Sequence, residues 1–174
     1  MVLRRVAYAL PAFVAMLAAA AALSAGAAEA ETPPLLWHDV ARVQISCLAV
    51  TQAGVDGRLS GEICERARVI AAADAPAPVA IVPLGDPSVL APDSLTLLIH
   101  VSVRPEGPGR LAALSVRPFR NAGQAPLLFA AAPRAALLAA SGSTADALAG
   151  DLRTALAETL PWLAVPTGPR PMHR

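Results

Sequence analysis

The stretch LTLLIHVSVRPEGPGRLAALSVRPF, residues 95–119, reads as a β-hairpin and decides the fold. Successive strand residues point to opposite faces, and one face of the first strand is apolar: Leu95, Leu97, Ile99, Val101 and Val103. The segment PEGPG at 105–109 is typical of a turn, and Leu114 and Val116 share an apolar face on the returning strand. We therefore predict two antiparallel strands of a sheet that is covered on one side.

The opposite face of the hairpin is mostly polar and is the candidate binding surface. It carries Thr96, His100, Ser102, Ser115 and Arg117. Such a face is either the floor of a binding site or a place where His100 transfers protons with a nearby hydroxyl. The solvated side of a half-buried sheet has the same pattern without any function. No catalytic residue is assigned from the sequence.

The segments before the hairpin predict a strand, a helix and a short second strand. From Val43 to Ala49 the alternation has the period of a strand. The apolar positions between Leu59 and Ala71 are spaced at four, four and three, which predicts an amphipathic helix. The segment VAIVPLG at 79–85 predicts a short strand, which Pro83 places at a sheet edge.

The segments after the hairpin end in a predicted helix. The next segment is ambiguous, because short apolar runs do not distinguish a strand from a helix: 127–131 is a possible strand, and 134–140 fits either a strand or a helical turn. Ser143 and Asp146 resemble a capping box. A repeat of four then gives one apolar side to a helix of about 17 residues that Pro161 ends. That side consists of Leu148, Leu152, Leu156 and Leu160.

The sum of these elements predicts the α+β class. We expect a two-layer sandwich, in which two helices lie on one face of a mostly antiparallel sheet of four to five strands. This order of elements is similar to that of small α/β modules of bacterial envelope proteins, such as the N-terminal domain of TolB. The resemblance concerns the fold and does not imply a function.

The N-terminus predicts export. Arg4 and Arg5 precede the apolar run from Val6 to Leu23, and small residues follow, as in a secretory signal peptide at 1–30. An uncleaved signal anchor is the alternative, because the run is nearly long enough to cross a bilayer. We predict one domain at 31–165, a loose tail at 166–174, and a periplasmic or secreted location, with membrane anchoring as the alternative.

The two cysteines, Cys47 and Cys64, predict a disulfide. Their spacing lacks the Cys-x-x-Cys signature of a redox dithiol. The only histidines available as zinc partners are His38, His100 and His173, and none lies at a ligand-pair spacing. A pair of cysteines in an exported protein ordinarily forms a disulfide, and two buried unpaired thiols are the alternative.

Composition and motifs exclude several functions. With 14 basic and 13 acidic residues the chain is close to neutral, which argues against nucleic-acid binding. Nucleophile-elbow, phosphate-loop and metalloprotease motifs are absent, so no metal or cofactor is predicted. The leading hypothesis is a non-catalytic exported domain that binds a partner protein or an envelope component. The alternatives are a small periplasmic enzyme that uses His100 with Ser102 or Ser115, and a membrane-tethered subunit.

Overall fold

The computed structural model describes residues 34–37, 39–121 and 131–163. In these ranges a six-stranded sheet is combined with three α-helices. The strands are β1 (Arg42–Thr51), β2 (Gly54–Val55), β3 (Val79–Ile81), β4 (Ser94–Glu106), β5 (Gly109–Phe119) and β6 (Arg134–Ala139). The helices are α1 (Gly57–Ala71), α2 (Thr144–Ala147) and α3 (Ala149–Thr159). Short 3-10 turns cover Pro34–Trp37 and Pro87–Leu90.

The sheet is mixed, which corrects the prediction of a mostly antiparallel sheet with four to five strands. Its order is β2-β1-β4-β5-β6, and β3 also pairs with β1. β1 runs parallel to both β3 and β4, whereas the other pairs are antiparallel. Alternation in a sequence reports which face a residue occupies but not the direction of the neighbouring strand. The α1 crossover between β1 and β3 permits the parallel pairing. The α+β class itself is confirmed.

All three helices contribute to one hydrophobic core on a single face of the sheet. Helix α1 buries Leu59, Ile63, Ala67 and Ala71, as its spacing predicts. The leucines of the C-terminal helical region are all at most 1% exposed. They join the inward residues of the strands in the same cluster: Val43, Ile45, Leu95, Leu97, Ile99, Val101, Leu114 and Val116. The predicted two-layer arrangement follows from these two apolar faces.

The predicted C-terminal helix is divided at Leu148 into α2 and α3. The Ser143 hydroxyl accepts a hydrogen bond from the Asp146 backbone N–H at 3.1 Å, so the predicted cap is present. At the division, the Leu148 N–H donates to the Thr144 carbonyl and the Leu152 N–H donates to the Leu148 carbonyl. Hydrogen bonding therefore continues through the division, and the buried leucine side of the region is preserved.

The ambiguous segment at 134–140 forms a strand, β6, at one edge of the sheet. Gly109 permits its close approach to β5, because a Cβ at that position would lie 2.5 Å from the Leu138 carbonyl oxygen. Arg110 holds the end of β6, since its guanidinium donates to the Ala139 carbonyl, the Gly142 carbonyl and the Thr144 hydroxyl. β6 is thereby fixed to the start of α2.

The predicted disulfide between Cys47 and Cys64 is confirmed. Their Cα atoms are 5.7 Å apart, a usual separation for a bridge, and the bond joins β1 to α1. The predicted signal peptide at 1–30, the tail at 166–174 and most of the predicted strand at 127–131 lie outside the described residues. None of the helices in the described ranges has the length and hydropathy that a membrane crossing needs.

Candidate functional site

The sheet face opposite the helices, called the open face below, carries the predicted binding residues. Strand register places Leu48, His100 and Ser115 side by side in one row across β1, β4 and β5. The neighbouring row is formed by Ser46, Leu98 and Arg117. The predicted polar face is therefore a mixed surface, in which leucines separate the polar groups.

One end of the open face is covered by the 3-10 turn Pro87–Leu90. The Gln44 amide donates to the Ser88 hydroxyl at 2.9 Å, and the Thr96 hydroxyl donates to the Gln44 amide oxygen at 3.2 Å. As a result Gln44 is 4% exposed and Thr96 is fully buried. Thr96, which the sequence assigned to the binding surface, lies beneath the turn and supports it.

The turn is capped by Asp86, whose carboxylate accepts the Ser88 backbone N–H at 2.8 Å. Hydrogen bonding to the Ser88 side chain, and secondly to its backbone, holds the pKa of the Asp86 carboxyl below its ordinary value. A lowered pKa means that the folded state favours the ionised form. This contribution to stability is complete above the ordinary pKa of aspartate and is lost as the pH falls through the lowered value.

Beside the turn, the open face forms a groove of about 360 Å³. Its lining residues are Ser46, Leu48, Leu84, Leu98, Ile99, His100, Ser115 and Arg117. Leu84 is 61% exposed and comes from the segment that follows β3. Neither His100 nor Arg117 makes a side-chain hydrogen bond or an ion pair within the described residues, and both are exposed. The groove therefore combines apolar surface with two groups that are available to a ligand.

The floor of the groove contains a polar atom that has no partner. The Ser46 side chain is 2% exposed, and its hydroxyl has no hydrogen-bond partner among the described residues. A buried hydroxyl without a partner costs free energy. This oxygen is enclosed by the fold, so Arg117, which lies in the same row, is the exposed polar group on this side of the groove.

The contacts that an enzyme based on His100 would need are not present in the described residues. Ser115 lies directly opposite His100, but no hydrogen bond joins the two side chains. Ser102 lies opposite Ala113, one row farther along the open face. His38 and His173 lie outside the described ranges. Within the described ranges, no group of three or more potential metal ligands is found. The enzyme alternative stays a prediction.

The other arginines of the hairpin region are engaged within the fold. Arg110 fixes β6 as described above, and Arg120 donates to the carbonyls of Pro92 and Leu36. Arg104 forms an ion pair with Glu106 at 3.5 Å. A second cavity of about 360 Å³ includes Arg104 and Arg110, so its cations already have partners. Arg117 is the hairpin arginine whose charge is available in the described structure.

Five groove residues were not assigned to the binding surface from the sequence: Ser46, Leu48, Leu84, Leu98 and Ile99. Ser46 and Leu48 alternate with the inward residues of β1, so their position on the open face was readable from the strand period. Their proximity to Arg117 depends on the parallel β1–β4 pairing. Leu84 depends on how the segment after β3 packs, which no local pattern indicates.

No protein-family model matches this chain, and no curated protein matches it in sequence. Solved structures with a similar fold include the PelC dodecamer from Paraburkholderia phytofirmans, at 11% identity and a TM-score of 0.49. That match covers 70% of this chain and 90% of PelC. A single-substitution variant of the PelC dodecamer is 10% identical, with a TM-score of 0.50 and coverage of 68% and 87%. At such low identity the similarity establishes the fold alone.

Proposed function

We propose that this protein is an exported, non-catalytic binding module whose groove holds an acidic and apolar segment of a partner protein. The observation that carries the proposal is the exposed Arg117 guanidinium, without an ion pair in the described structure, beside an apolar groove. The groove lies on the open face, which the helices leave uncovered. The strands β1, β4 and β5 hold all groove residues except Leu84, and regular elements of this kind suit a preorganised binding site.

The chemistry of the groove selects the ligand class. An arginine recognises a carboxylate through two parallel hydrogen bonds, and such charge-assisted bonds are among the stronger ones in proteins. Leu48, Leu84 and Leu98 provide the apolar contact that a neighbouring side chain of the partner would bury. The exposed His100 ring adds a hydrogen-bonding group. An aspartate or glutamate next to a leucine-like residue satisfies both halves of this surface.

Two observations support the export and assembly parts of the proposal. A disulfide is ordinarily stable in an oxidising compartment such as the periplasm, in agreement with the predicted signal peptide at 1–30. The PelC variant shows a domain of this fold in an assembly of many subunits. We extend to this chain only the idea that its fold acts through protein contacts. A membrane-anchored protein with an uncleaved signal is the alternative to the exported form.

Charge reversal tests the role of Arg117. We expect Arg117→Glu to reduce capture of the partner protein from a periplasmic extract at least about tenfold, because a charge-assisted bond becomes a repulsion. The measurement is quantitative mass spectrometry of proteins retained by the immobilised chain. Arg153→Glu is the matched control, since Arg153 is an exposed arginine of α3 that is far from the groove. We expect this control to retain the partner fully.

Three outcomes would contradict the proposal. Equal capture by Arg117→Glu and the unmodified chain would remove the groove from the interface. Equal losses with Arg117→Glu and Arg153→Glu would indicate a non-specific effect of charge. Retention of a lipid or polysaccharide, with no protein depending on Arg117, would overturn the assignment of a protein ligand.

A further inference from the structure

The outer edge of β6 is open in the described structure. β6 pairs with β5 on one side, and no described strand pairs with its other side. An open edge presents a row of unpaired N–H and C=O groups, which a further strand can satisfy. Leu137 on this strand is 75% exposed, the highest value among the large apolar side chains of the described residues. The edge is therefore both hydrogen-bonding and apolar.

β6 lacks most of the features that ordinarily protect a sheet edge, and a proline, Pro133, precedes it without interrupting it. Proline, short length and charge keep such edges from pairing. The sequence of β6 is RAALLA, and its one charged side chain, Arg134, forms an ion pair with Glu158 of α3. The opposite edge is different, because its strands are short: β3 has three residues and β2 has two, whereas β6 has six. Of the two edges formed by the described strands, β6 is therefore the one better suited to strand addition.

We propose that β6 of one copy pairs with β6 of a second copy, antiparallel and across a two-fold axis. Directly opposite residues of an antiparallel pair share a face, so a symmetric register places a residue opposite its own copy. With the axis at Leu137, the two exposed leucines meet on the open face. Ala136 then lies opposite Leu138, and Ala135 opposite Ala139.

The edge favours a second copy over an unrelated strand because it is self-complementary. The residues from Ala135 to Ala139 are uncharged, so two copies approach without repulsion between like charges. The register above places leucine opposite leucine at the axis, with alanine opposite leucine and then alanine opposite alanine on either side of it. Pairing extends both sheets into one, and the apolar surface of Leu111 and Leu137 becomes continuous between the copies.

The expected dimer is weak and leaves the groove accessible. A single strand pair buries less than the roughly 1,000 Å² that characterises stable interfaces, so association depends on protein concentration. The groove is formed by β1, β4 and β5 and by the segment after β3, and β6 contributes no lining residue. This inference is thus independent of the proposed function, and the two can fail separately.

Analytical ultracentrifugation of the mature chain tests the pairing. We expect the average mass to rise from one chain toward two as the concentration increases through the micromolar range. Leu137→Lys should remain at the mass of one chain throughout, since two like charges would then lie directly opposite each other. Val69→Lys is the matched control, because Val69 is 58% exposed on α1, and it should dimerise like the unmodified chain.

A cysteine scan tests the register. Leu137→Cys should form an intermolecular disulfide on mild oxidation, because the two positions lie opposite each other at the axis. Ala139→Cys should not, since its predicted partner is Ala135. A chain that stays monomeric at all concentrations, a Leu137→Lys variant that still dimerises, or crosslinking through Ala139→Cys alone would overturn the proposal.

Discussion

Replacing Cys47 and Cys64 together by alanine should lower the free energy of unfolding by about 3 kcal/mol. The bridge closes a loop with a sequence separation of 17 and joins the central strand β1 to α1. Without it the unfolded chain gains conformational freedom, and the two elements are then held by packing and hydrogen bonds alone. Chemical denaturation of the oxidised protein and the double variant, followed by circular dichroism, measures the difference.

The reduced form of the unmodified chain provides the control for this prediction. It should lose nearly the same stability as the double variant, because both lack the covalent link. The unfolded protein should also take up no alkylating reagent without reductant and two equivalents after reduction. Alkylation before reduction, or a double variant as stable as the oxidised protein, would contradict the assignment.

The second large effect is expected in the buried leucine side of the C-terminal helical region. Leu152→Ala should lower the free energy of unfolding by about 2 to 5 kcal/mol, because it leaves a cavity at a fully buried position. Thermal or denaturant unfolding measures this loss. The neighbouring Arg153 is exposed, so Arg153→Ala should change stability by less than about 0.5 kcal/mol.

This pair of variants distinguishes the packed face of α3 from its solvent face. If Leu152→Ala and Arg153→Ala had equal small effects, the helix would not lie on the sheet as described. A large loss for Arg153→Ala with none for Leu152→Ala would place the opposite face of α3 against the core. Either result would overturn the two-layer arrangement.

The sequence predicted those parts of the fold that depend on periodicity. Leu95, Leu97 and Ile99 are buried because a strand with one apolar face must cover that face. The four-residue repeat that includes Leu148 and Leu152 is buried for the corresponding reason in a helix. Neither period contains the direction of a neighbouring strand, so the parallel contact of β1 with β4 became evident only in the structure.

The candidate site was predicted in part. His100, Ser115 and Arg117 lie on one face, as strand alternation requires, and all three line the same groove. Thr96 has the same alternation, but the turn at Pro87–Leu90 covers it. The groove wall at Leu84 and the unpartnered hydroxyl of Ser46 depend on contacts between segments distant in sequence. Such contacts have no local signature.

The proposed function and the β6 pairing give different roles to the groove on the open face and to the β6 edge of the sheet. The groove with Arg117 would bind a partner protein, whereas the edge with Leu137 would join two copies of this chain. Arg117→Glu should therefore not change how the average mass in analytical ultracentrifugation depends on protein concentration. Leu137→Lys should leave partner capture by the groove intact. The two interactions are separable because no residue is shared between them.

Site-specific photo-crosslinking in the native cells is the most direct test of the open face as the binding surface. A photo-reactive amino acid at position 100, in place of His100, should give a covalent adduct with a partner protein. The same probe at Val69 on α1 should give none, and Arg117→Glu should abolish the adduct formed from position 100. An adduct of equal yield from Val69, or none from position 100, would contradict the account.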